Sequence, residues 1–350
     1  MISFVIFKIM LLSTFAFLLA WVWAPFLSRF LYKHKLGKQI RDEKSAPIYS
    51  KLHKAKKGTP TMGGILIWVT TLVVAIVCSY GAILFPDTIF ARLNFLSRSQ
   101  VWLPLSALVL AALVGMVDDY LNIRKIGPFG GGLHMRHRVM LYTLIAIVGA
   151  LWFYFKLDWD ILHIPFVGDF NIGWWYIPFF IFVIVATAFS VNEIDGLDGL
   201  AGGTLLPAFA AYGTIAALQG KYDLATLCGV IIGSLLAFLW LNIYPAKFIM
   251  GDTGAMSLGV TLGIVAMLTN AALLLPVIGF LFVLESASVI VQVASKKIRK
   301  KKVFLSAPIH HHLEAIGWSE PTIVMRFWVI AFITAIIGVI LAILERGIYS

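Results

Sequence analysis

The chain has few charged residues, and this scarcity excludes most classes of soluble protein. Lysine, arginine, aspartate and glutamate make up 13% of the 350 residues, whereas hydrophobic residues make up 60% and the mean hydropathy is +0.92. Soluble globular domains usually carry about 25% charged residues. Cysteine is also scarce, and because Cys78 and Cys228 both fall inside apolar runs, no disulfide is expected. The composition therefore predicts a protein that is largely surrounded by lipid.

The apolar residues are grouped into about ten runs that could each cross a bilayer, which takes about 20 residues in a helix. In chain order the runs are 3–27, 61–84, 101–120, 139–156, 176–191, 199–218, 224–243, 254–270, 272–295 and 322–344. The alternating ten-residue strands of a membrane barrel are absent from the sequence, and lipid-exposed backbone must satisfy its own hydrogen bonds. The first run lacks a basic start and a cleavage pattern, so we expect it to be retained. The sequence predicts an all-α polytopic membrane protein in which residues 1–350 form a single integral membrane domain.

Lysine and arginine are concentrated in alternate loops, which predicts the orientation in the membrane. Residues 28–60 contain ten of the 28 basic residues, residues 121–138 contain four, and residues 296–302 contain six. Basic loops usually face the cytoplasm, so both termini are predicted to be extracytoplasmic. The net charge of +11 follows from this topology, and binding to nucleic acid is not expected because the charges lie in short loops between spans. On the outer side, the period-2 pattern around Gly168 and Asp169 predicts a short β-hairpin in an outer loop.

The acidic residues inside or beside the helices collect on the predicted cytoplasmic face. They are Asp118, Asp119, Glu193, Asp195, Asp198 and Asp252, whereas Glu285 falls about midway along the ninth span. The adjacent pair Asp118 and Asp119 lies at the negative end of a helix, where carboxylates are disfavoured and repel each other. The pair therefore indicates a bound cation or a proton-transfer role more than a hydrated helix end.

Two further acidic segments allow more than one interpretation. Asp195 and Asp198, in "NEIDGLDGLAGG", would share one face if helical, but a flexible loop with incidental acids is the alternative. The segment is not a P-loop, because the Gly-Lys-Ser/Thr ending is missing. Asp252, in "FIMGDTGAMSLG", could cap the following helix or, with the other acids, hold a hard cation such as Mg²⁺.

Basic and imidazole groups lie in three segments of the same predicted face. His310, His311 and His312 are consecutive and cannot share a helical face, so a three-histidine zinc site is not expected and contact with phosphate is favoured over a solvated run. Residues 296–302 either hold the topology or attract lipid and substrate phosphates. Lys57 precedes a helix start, where anions bind readily, although ordinary helix initiation explains it equally well.

These segments, in this order, resemble the bacterial phospho-N-acetylmuramoyl-pentapeptide transferases, a branch of the polyprenyl-phosphate N-acetylhexosamine-1-phosphate transferases. The matching stretches, which extend from the second predicted span to the last, are "KKGTPTMGG", "VDDY", "NEIDGLDGLAGG", "FIMGDTGAMSLG", "ESASVIVQV" and "APIHHHLEAIGWSEPTIVMRFW". The aspartate motifs mark the superfamily, and the first and last stretches are specific to the branch.

The resemblance implies a multi-pass enzyme of the bacterial cytoplasmic membrane with its active site facing the cytoplasm. Its reaction would be the Mg²⁺-dependent transfer of phospho-MurNAc-pentapeptide from UDP-MurNAc-pentapeptide to undecaprenyl phosphate, which forms lipid I and UMP for peptidoglycan synthesis. It also implies contact with membrane lipids and a homodimer. Whether the lipid phosphate attacks directly or an aspartate first forms a covalent intermediate is left open by the residues.

The resemblance also implies roles for individual residues of this chain. Asp252 would be the main Mg²⁺ ligand, Asp118 would accept a proton from the lipid phosphate or orient it, and Asp119 would assist the metal and the diphosphate. The residues implied to bind substrate are Lys57, Asn192, Asp195, Asp198, Gln292, His310, His311 and His312. The chain departs from the family pattern at Asn122, usually lysine, at Ile249, usually aromatic, and at Ala255, usually serine.

Two other functions are compatible with parts of the sequence. A UDP-GlcNAc:polyprenyl-phosphate GlcNAc-1-phosphate transferase would share the aspartate motifs and differ in the donor. An ion-coupled secondary transporter would also place acids within helices, but near the middle of the bilayer. The helix-associated acids of this chain lie mostly at helix ends, which favours a transferase.

Overall fold

The structure is a computed structural model that describes residues 2–37, 56, 58–96, 99–127 and 131–349, and it is predominantly helical. In chain order the helices are α1 (Ile2–Lys33), α2 (Ile65–Leu84), α3 (Ile89–Leu93), α4 (Ser99–Ile123), α5 (Met135–Lys156), α6 (Tyr176–Ile194), α7 (Leu200–Leu218), α8 (Tyr222–Asn242), α9 (Gly251–Leu268), α10 (Leu275–Ile278), α11 (Phe280–Ile298), α12 (Ile309–Ala315) and α13 (Glu320–Tyr349). Strands β1 (Ile161–Ile164) and β2 (Gly168–Asn171) lie between α5 and α6.

Nine helices in the described part of the chain are long and apolar enough to cross a membrane, and a bent pair raises the number to ten. The prediction of a polytopic helical membrane protein with about ten spans is therefore confirmed. The predicted ninth span, residues 272–295, is not one straight helix, because the segments Ala272–Ile278 and Phe280–Ile298 are bent by 83°. Gly279 lies at the break, three residues after Pro276, and both residue types weaken a continuous helix.

Helix α9 lies at the centre of the protein. Every residue of α9 except Asp252 is buried. Two glycines allow neighbouring elements to approach its first turn, as small residues do between membrane helices. A Cβ on Gly115 of α4 would lie 2.3 Å from the carbonyl oxygen of Asp252, and a Cβ on Gly64 would lie 2.3 Å from the Cα of Gly254. These contacts bring the end of α4 and the start of α2 to the N-terminus of α9.

Strands β1 and β2 form an antiparallel pair in which Ile161 lies opposite Asn171 and Ile164 lies opposite Gly168. The backbone N–H of His163 donates to Oδ1 of Asn270, which follows the C-terminus of α9. Since the 18 residues of α9 span about 27 Å, the hairpin lies far from Asp252, at the opposite end of this helix. The predicted hairpin is thus present, and it packs against the end of the protein remote from the acidic residues.

The hairpin is tied to the last helix through the imidazole of His163. Nδ1 of His163 lies 2.5 Å from Oδ1 of Asp169, and Nε2 contacts Oε1 of Glu345 in α13. Partial burial lowers the pKa of His163, but the two carboxylates raise it by more, so its pKa lies above the ordinary value of 6.5. The protonated imidazole therefore holds the hairpin against α13.

This contact should make the stability of the protein depend on pH. Because the folded state binds the proton more tightly than the unfolded chain, the contact contributes fully below about pH 6.5 and is lost as the pH rises through the folded-state pKa. We expect the unfolding temperature of the detergent-solubilised protein to fall more between about pH 6 and about pH 9 than that of His163→Gln. Equal pH dependence of the two proteins would contradict this role of His163.

Candidate active site

The two adjacent aspartates near the end of α4 contact different parts of the protein. Asp119 accepts the backbone N–H groups of Asp252 and Thr253 at 3.1 and 3.0 Å, and the hydroxyl of Thr61 donates to it at 3.2 Å. A carboxylate at a helix N-terminus satisfies free N–H groups and complements the positive end of the helix dipole. Both oxygens of Asp119 are thereby engaged in holding the start of α9 against α4.

Asp118 lies beside an arginine. Its Oδ1 accepts the N–H of Leu133 at 2.5 Å, and its Oδ2 is in ion-pair contact with Nε of Arg138 at 2.5 Å. The side chain of Asp118 is completely buried. A buried carboxylate needs a nearby positive charge, and Arg138 supplies it.

Asp252 projects from the first turn of α9 towards the same arginine. Nη2 of Arg138 donates to Oδ2 of Asp252 at 3.0 Å, and its Nη1 donates to Oδ1 of Asn192 at 3.2 Å. The amide of Asn192 in turn donates to Oδ1 of Asp252 at 2.5 Å. We call Asp118, Arg138, Asn192 and Asp252 the acid–arginine cluster. It lies where the ends of α4 and α6 meet the start of α5 and α9.

Arg138 is not among the site residues predicted from the sequence. The available signal was its place among the basic residues of 121–138, on the same predicted face as the acids. Which of those basic side chains reaches the acids depends on the start of α5, where His134 accepts the N–H of Arg136. The exposed Arg136 and the enclosed Arg138 then lie on different sides of the helix.

Asp195 and Asp198 lie between α6 and α7, in a connection that is not helical. Oδ2 of Asp195 accepts the N–H of Gly251 at 3.1 Å, which links this connection to the start of α9. Gly251 has φ +75°, and a Cβ there would lie 2.5 Å from Oγ1 of Thr61, so only glycine suits this position. Asp195 therefore lies next to the acid–arginine cluster.

Asp198 is held from three sides. Its Oδ1 accepts a hydrogen bond from Nζ of Lys56 at 2.7 Å, its Oδ2 accepts the N–H of Ala246 at 3.0 Å, and its own N–H donates to Oε1 of Glu320 at 2.7 Å. Lys56 also pairs with Glu320. The predicted substrate-binding residue Lys57 lies outside the described residues.

Each of the three consecutive histidines has a different partner. In chain order these partners are Glu285, Glu314 and the backbone N–H of Leu305. Gln292 accepts the N–H groups of residues 303 and 304 and donates to the carbonyl of Phe304, so its amide holds the loop that leads to α12. His310 packs directly against the connection that contains Asp195 and Asp198, since a Cβ on Gly196 would lie 2.2 Å from its Nε2.

Phe248 precedes Ile249, the position at which the family resemblance implies an aromatic residue. Phe248 is completely buried, with its ring 5.8 Å from that of Phe238. The backbone of Ile249 pairs with Pro60 and Gly63, which fixes the register of this segment against the start of α2. Stacking of Phe248 on a base is therefore excluded in this arrangement.

The donor atoms of the cluster fit a hard divalent cation. Mg²⁺ usually takes one or two carboxylates and completes its coordination with water and substrate phosphates. Asp118, Asp119 and Asp252 supply such carboxylates, and each of the three is also held by N–H or guanidinium donors of the protein. Across the described part of the chain, no group of three His, Cys, Asp or Glu side chains is arranged to hold a metal by itself. The residues present thus fit a cation that shares its ligands with a phosphate.

Comparisons with known proteins cover the whole site. The family described as glycosyl transferase family 4 matches residues 101–270, and phospho-N-acetylmuramoyl-pentapeptide-transferase signature 1 matches residues 56–67. Three similar relatives are all named phospho-N-acetylmuramoyl-pentapeptide-transferase. The protein of Chloroflexus aggregans is 37% identical to this chain, and the match covers 96% of this chain and 90% of the relative. The protein of Listeria welshimeri is 37% identical, with 94% of this chain and 97% of the relative covered. The protein of Bartonella quintana is 39% identical, with 86% of this chain and 85% of the relative covered.

These relatives match almost the entire chain, and the two family matches contain Thr61 and every member of the acid–arginine cluster. The matched regions therefore include the site as well as the apolar helices. The chain belongs to the phospho-N-acetylmuramoyl-pentapeptide-transferase family.

Proposed function

We propose that this protein transfers phospho-MurNAc-pentapeptide from UDP-MurNAc-pentapeptide to undecaprenyl phosphate, which forms lipid I and releases UMP. The name shared by the relatives supports the substrates, and the acid–arginine cluster is the observation that carries the chemistry. Transfer between two phosphates requires a site that brings negatively charged groups together and stabilises the charge that develops on the leaving group. A partly buried guanidinium between two carboxylates meets that requirement.

Within this proposal, the role of each residue follows from its contacts. Asp118 accepts the proton of the lipid phosphate or orients that phosphate, and Arg138 stabilises negative charge beside it. Asp252 would be the main ligand of Mg²⁺, with Asp119 assisting, and the ion would supply charge neutralisation at the diphosphate when bound. Asp119 keeps the start of α9 in place. Asn192, Asp195 and Asp198 line the donor pocket. The family resemblance adds to them Lys57, Gln292, His310, His311 and His312.

The proposed location is the bacterial cytoplasmic membrane, with the acid–arginine cluster facing the cytoplasm and both termini outside. The basic residues are concentrated in segments 28–60, 121–138 and 296–302 of the sequence, and the positive-inside rule predicts that such loops face the cytoplasm. The hairpin of β1 and β2 would then be extracytoplasmic. The lipid substrate would reach the site from the surrounding bilayer, and we propose a homodimer as the assembly.

A donor comparison tests the proposed function directly. The purified protein in detergent, supplied with undecaprenyl phosphate and Mg²⁺, should release UMP from UDP-MurNAc-pentapeptide and much less from UDP-GlcNAc. Release should cease when the metal is chelated or when the lipid phosphate is omitted. Preference for UDP-GlcNAc would assign the chain to the other branch of the superfamily, and solute uptake into proteoliposomes without UMP release would indicate a transporter.

A further inference from the structure

Glu285 and His310 form a buried pair. Glu285 lies in the second turn of α11 and His310 in the first turn of α12, and both are 0% exposed. Nδ1 of His310 lies 3.0 Å from Oε2 of Glu285. Within the described residues, neither the carboxylate oxygens nor the ring nitrogens have any hydrogen-bond partner. Among the described residues, the only ion-pair contact of each of these two side chains is therefore with the other.

Stability is a poor explanation for this pair. Burying a carboxylate in an apolar interior is unfavourable, and one ion-pair contact compensates only in part. Replacing a buried ion pair by well-packed apolar residues is often neutral or stabilising. A glutamate at position 285 therefore calls for a role beyond holding α11 and α12 together.

The opposite edge of the His310 ring points at the donor pocket proposed above. A Cβ on Gly196 would lie 2.2 Å from Nε2 of His310 and 2.9 Å from its Cε1. Gly196 directly follows Asp195, whose carboxylate accepts the N–H of Gly251 at the start of α9. Glu285, His310 and the Gly196 backbone therefore form a continuous line of contacts from α11 to the acidic connection between α6 and α7.

We propose that Glu285 is a positioning residue, whose carboxylate holds the His310 ring against Gly196 and so sets the connection 195–199 for binding of the nucleotide-sugar donor. The inference rests on the proposed function, because one of its tests measures the KM for the nucleotide-sugar donor. Glu285 itself is buried and does not touch the substrate. It acts through His310.

Glu285→Gln tests this role, because glutamine keeps the shape of the side chain and removes its charge. We expect the KM for UDP-MurNAc-pentapeptide to rise about tenfold or more, with a smaller change in kcat. The matched control is Ser286→Ala, which removes a buried hydrogen bond of 2.7 Å from the same helix to Ser190 of α6. This control should keep the KM of the unsubstituted protein.

Coupling between the substitutions separates positioning from general loosening. Because Glu285 acts through His310, Glu285→Gln should add no further rise in KM to a His310→Asn protein. Gly196→Ala, which moves the ring from the other side, should raise the KM for the donor as well. The proposal would be overturned if the rises in KM of the two single variants multiplied in the double variant. An unchanged KM in Glu285→Gln would overturn it as well.

A spectroscopic measurement keeps the test independent of catalysis. In ¹⁵N spectra of histidine-labelled protein, the ring signals of His310, assigned with His310→Asn, should shift in Glu285→Gln and stay in place in Ser286→Ala. If the unsubstituted protein released no UMP from its donor, the proposed function would fail while this shift still reported on the pair. Unshifted ring signals in Glu285→Gln would refute the positioning role itself.

Discussion

Asp252→Asn should reduce the rate of UMP release by about a thousandfold while the protein remains folded. Asp252 contributes the one carboxylate of the cluster that is not completely enclosed, and it contacts both Arg138 and Asn192. Asparagine keeps the size of the side chain but removes the negative charge that a cation or a proton transfer requires. The start of α9 should stay in place, because its free N–H groups are satisfied by Asp119.

The matched control for this substitution is Asp223→Asn. Asp223 is also an acid in the first turn of a membrane helix, α8, but it pairs with Lys8 at 3.1 Å and lies at the hairpin end of the protein. We expect near-normal UMP release from this variant in single-turnover measurements. A near-normal rate for Asp252→Asn as well would remove the acid–arginine cluster from the catalytic site.

Arg138→Met should abolish transfer and also destabilise the protein. The guanidinium lies between Asp118 and Asp252 and is the cation that both carboxylates contact. Removal of one partner from a buried charge network typically costs about 3 kcal/mol, since the remaining charges stay buried and unpaired. We expect a lower unfolding temperature in detergent together with a loss of UMP release by at least about a hundredfold.

Two companion variants define the cause of the Arg138 effect. Arg136→Met changes an exposed arginine in the same turn of α5 and should leave both stability and activity close to those of the unsubstituted protein. Arg138→Lys keeps the charge but cannot contact Asp118, Asn192 and Asp252 at once, so it should retain most of the stability and little of the activity. An active Arg138→Met protein would show that the arginine is only a structural counter-charge.

The adjacent aspartates illustrate how far a local pattern can be interpreted. Their position at the end of an apolar helix predicts a bound cation or a proton-transfer role, and in the structure both lie near Asp252 at the start of α9. Consecutive residues on a helix point about 100° apart, however, so the two side chains face different neighbours. Asp118 reaches Arg138, whereas Asp119 reaches the start of α9, and nothing within "VDDY" distinguishes these two environments.

The bend in the ninth span and the contacts of Arg138 show a second limit of prediction from local sequence patterns. A hydropathy run depends only on length and composition. Residues 272–298 are together long and apolar enough to span a membrane, although the structure bends them by 83°. Arg138 and Asp252 are 114 positions apart, so their contact depends on how α5 and α9 pack against α4 and α6. A local pattern contains no information about such a distance.

The sequence by itself determined that this protein is a multi-pass helical membrane protein, which motifs it carries and to which family it belongs. These properties depend on residue type and spacing, because the transfer of each apolar segment into lipid is nearly independent of the others. Only the tertiary structure decided that Arg138 joins Asp118 to Asp252, that Asp119 holds the start of α9, and that Glu285 meets His310. Those pairings arise from close packing of helices at glycine contacts, where a shift of a few ångströms would exchange one polar partner for another.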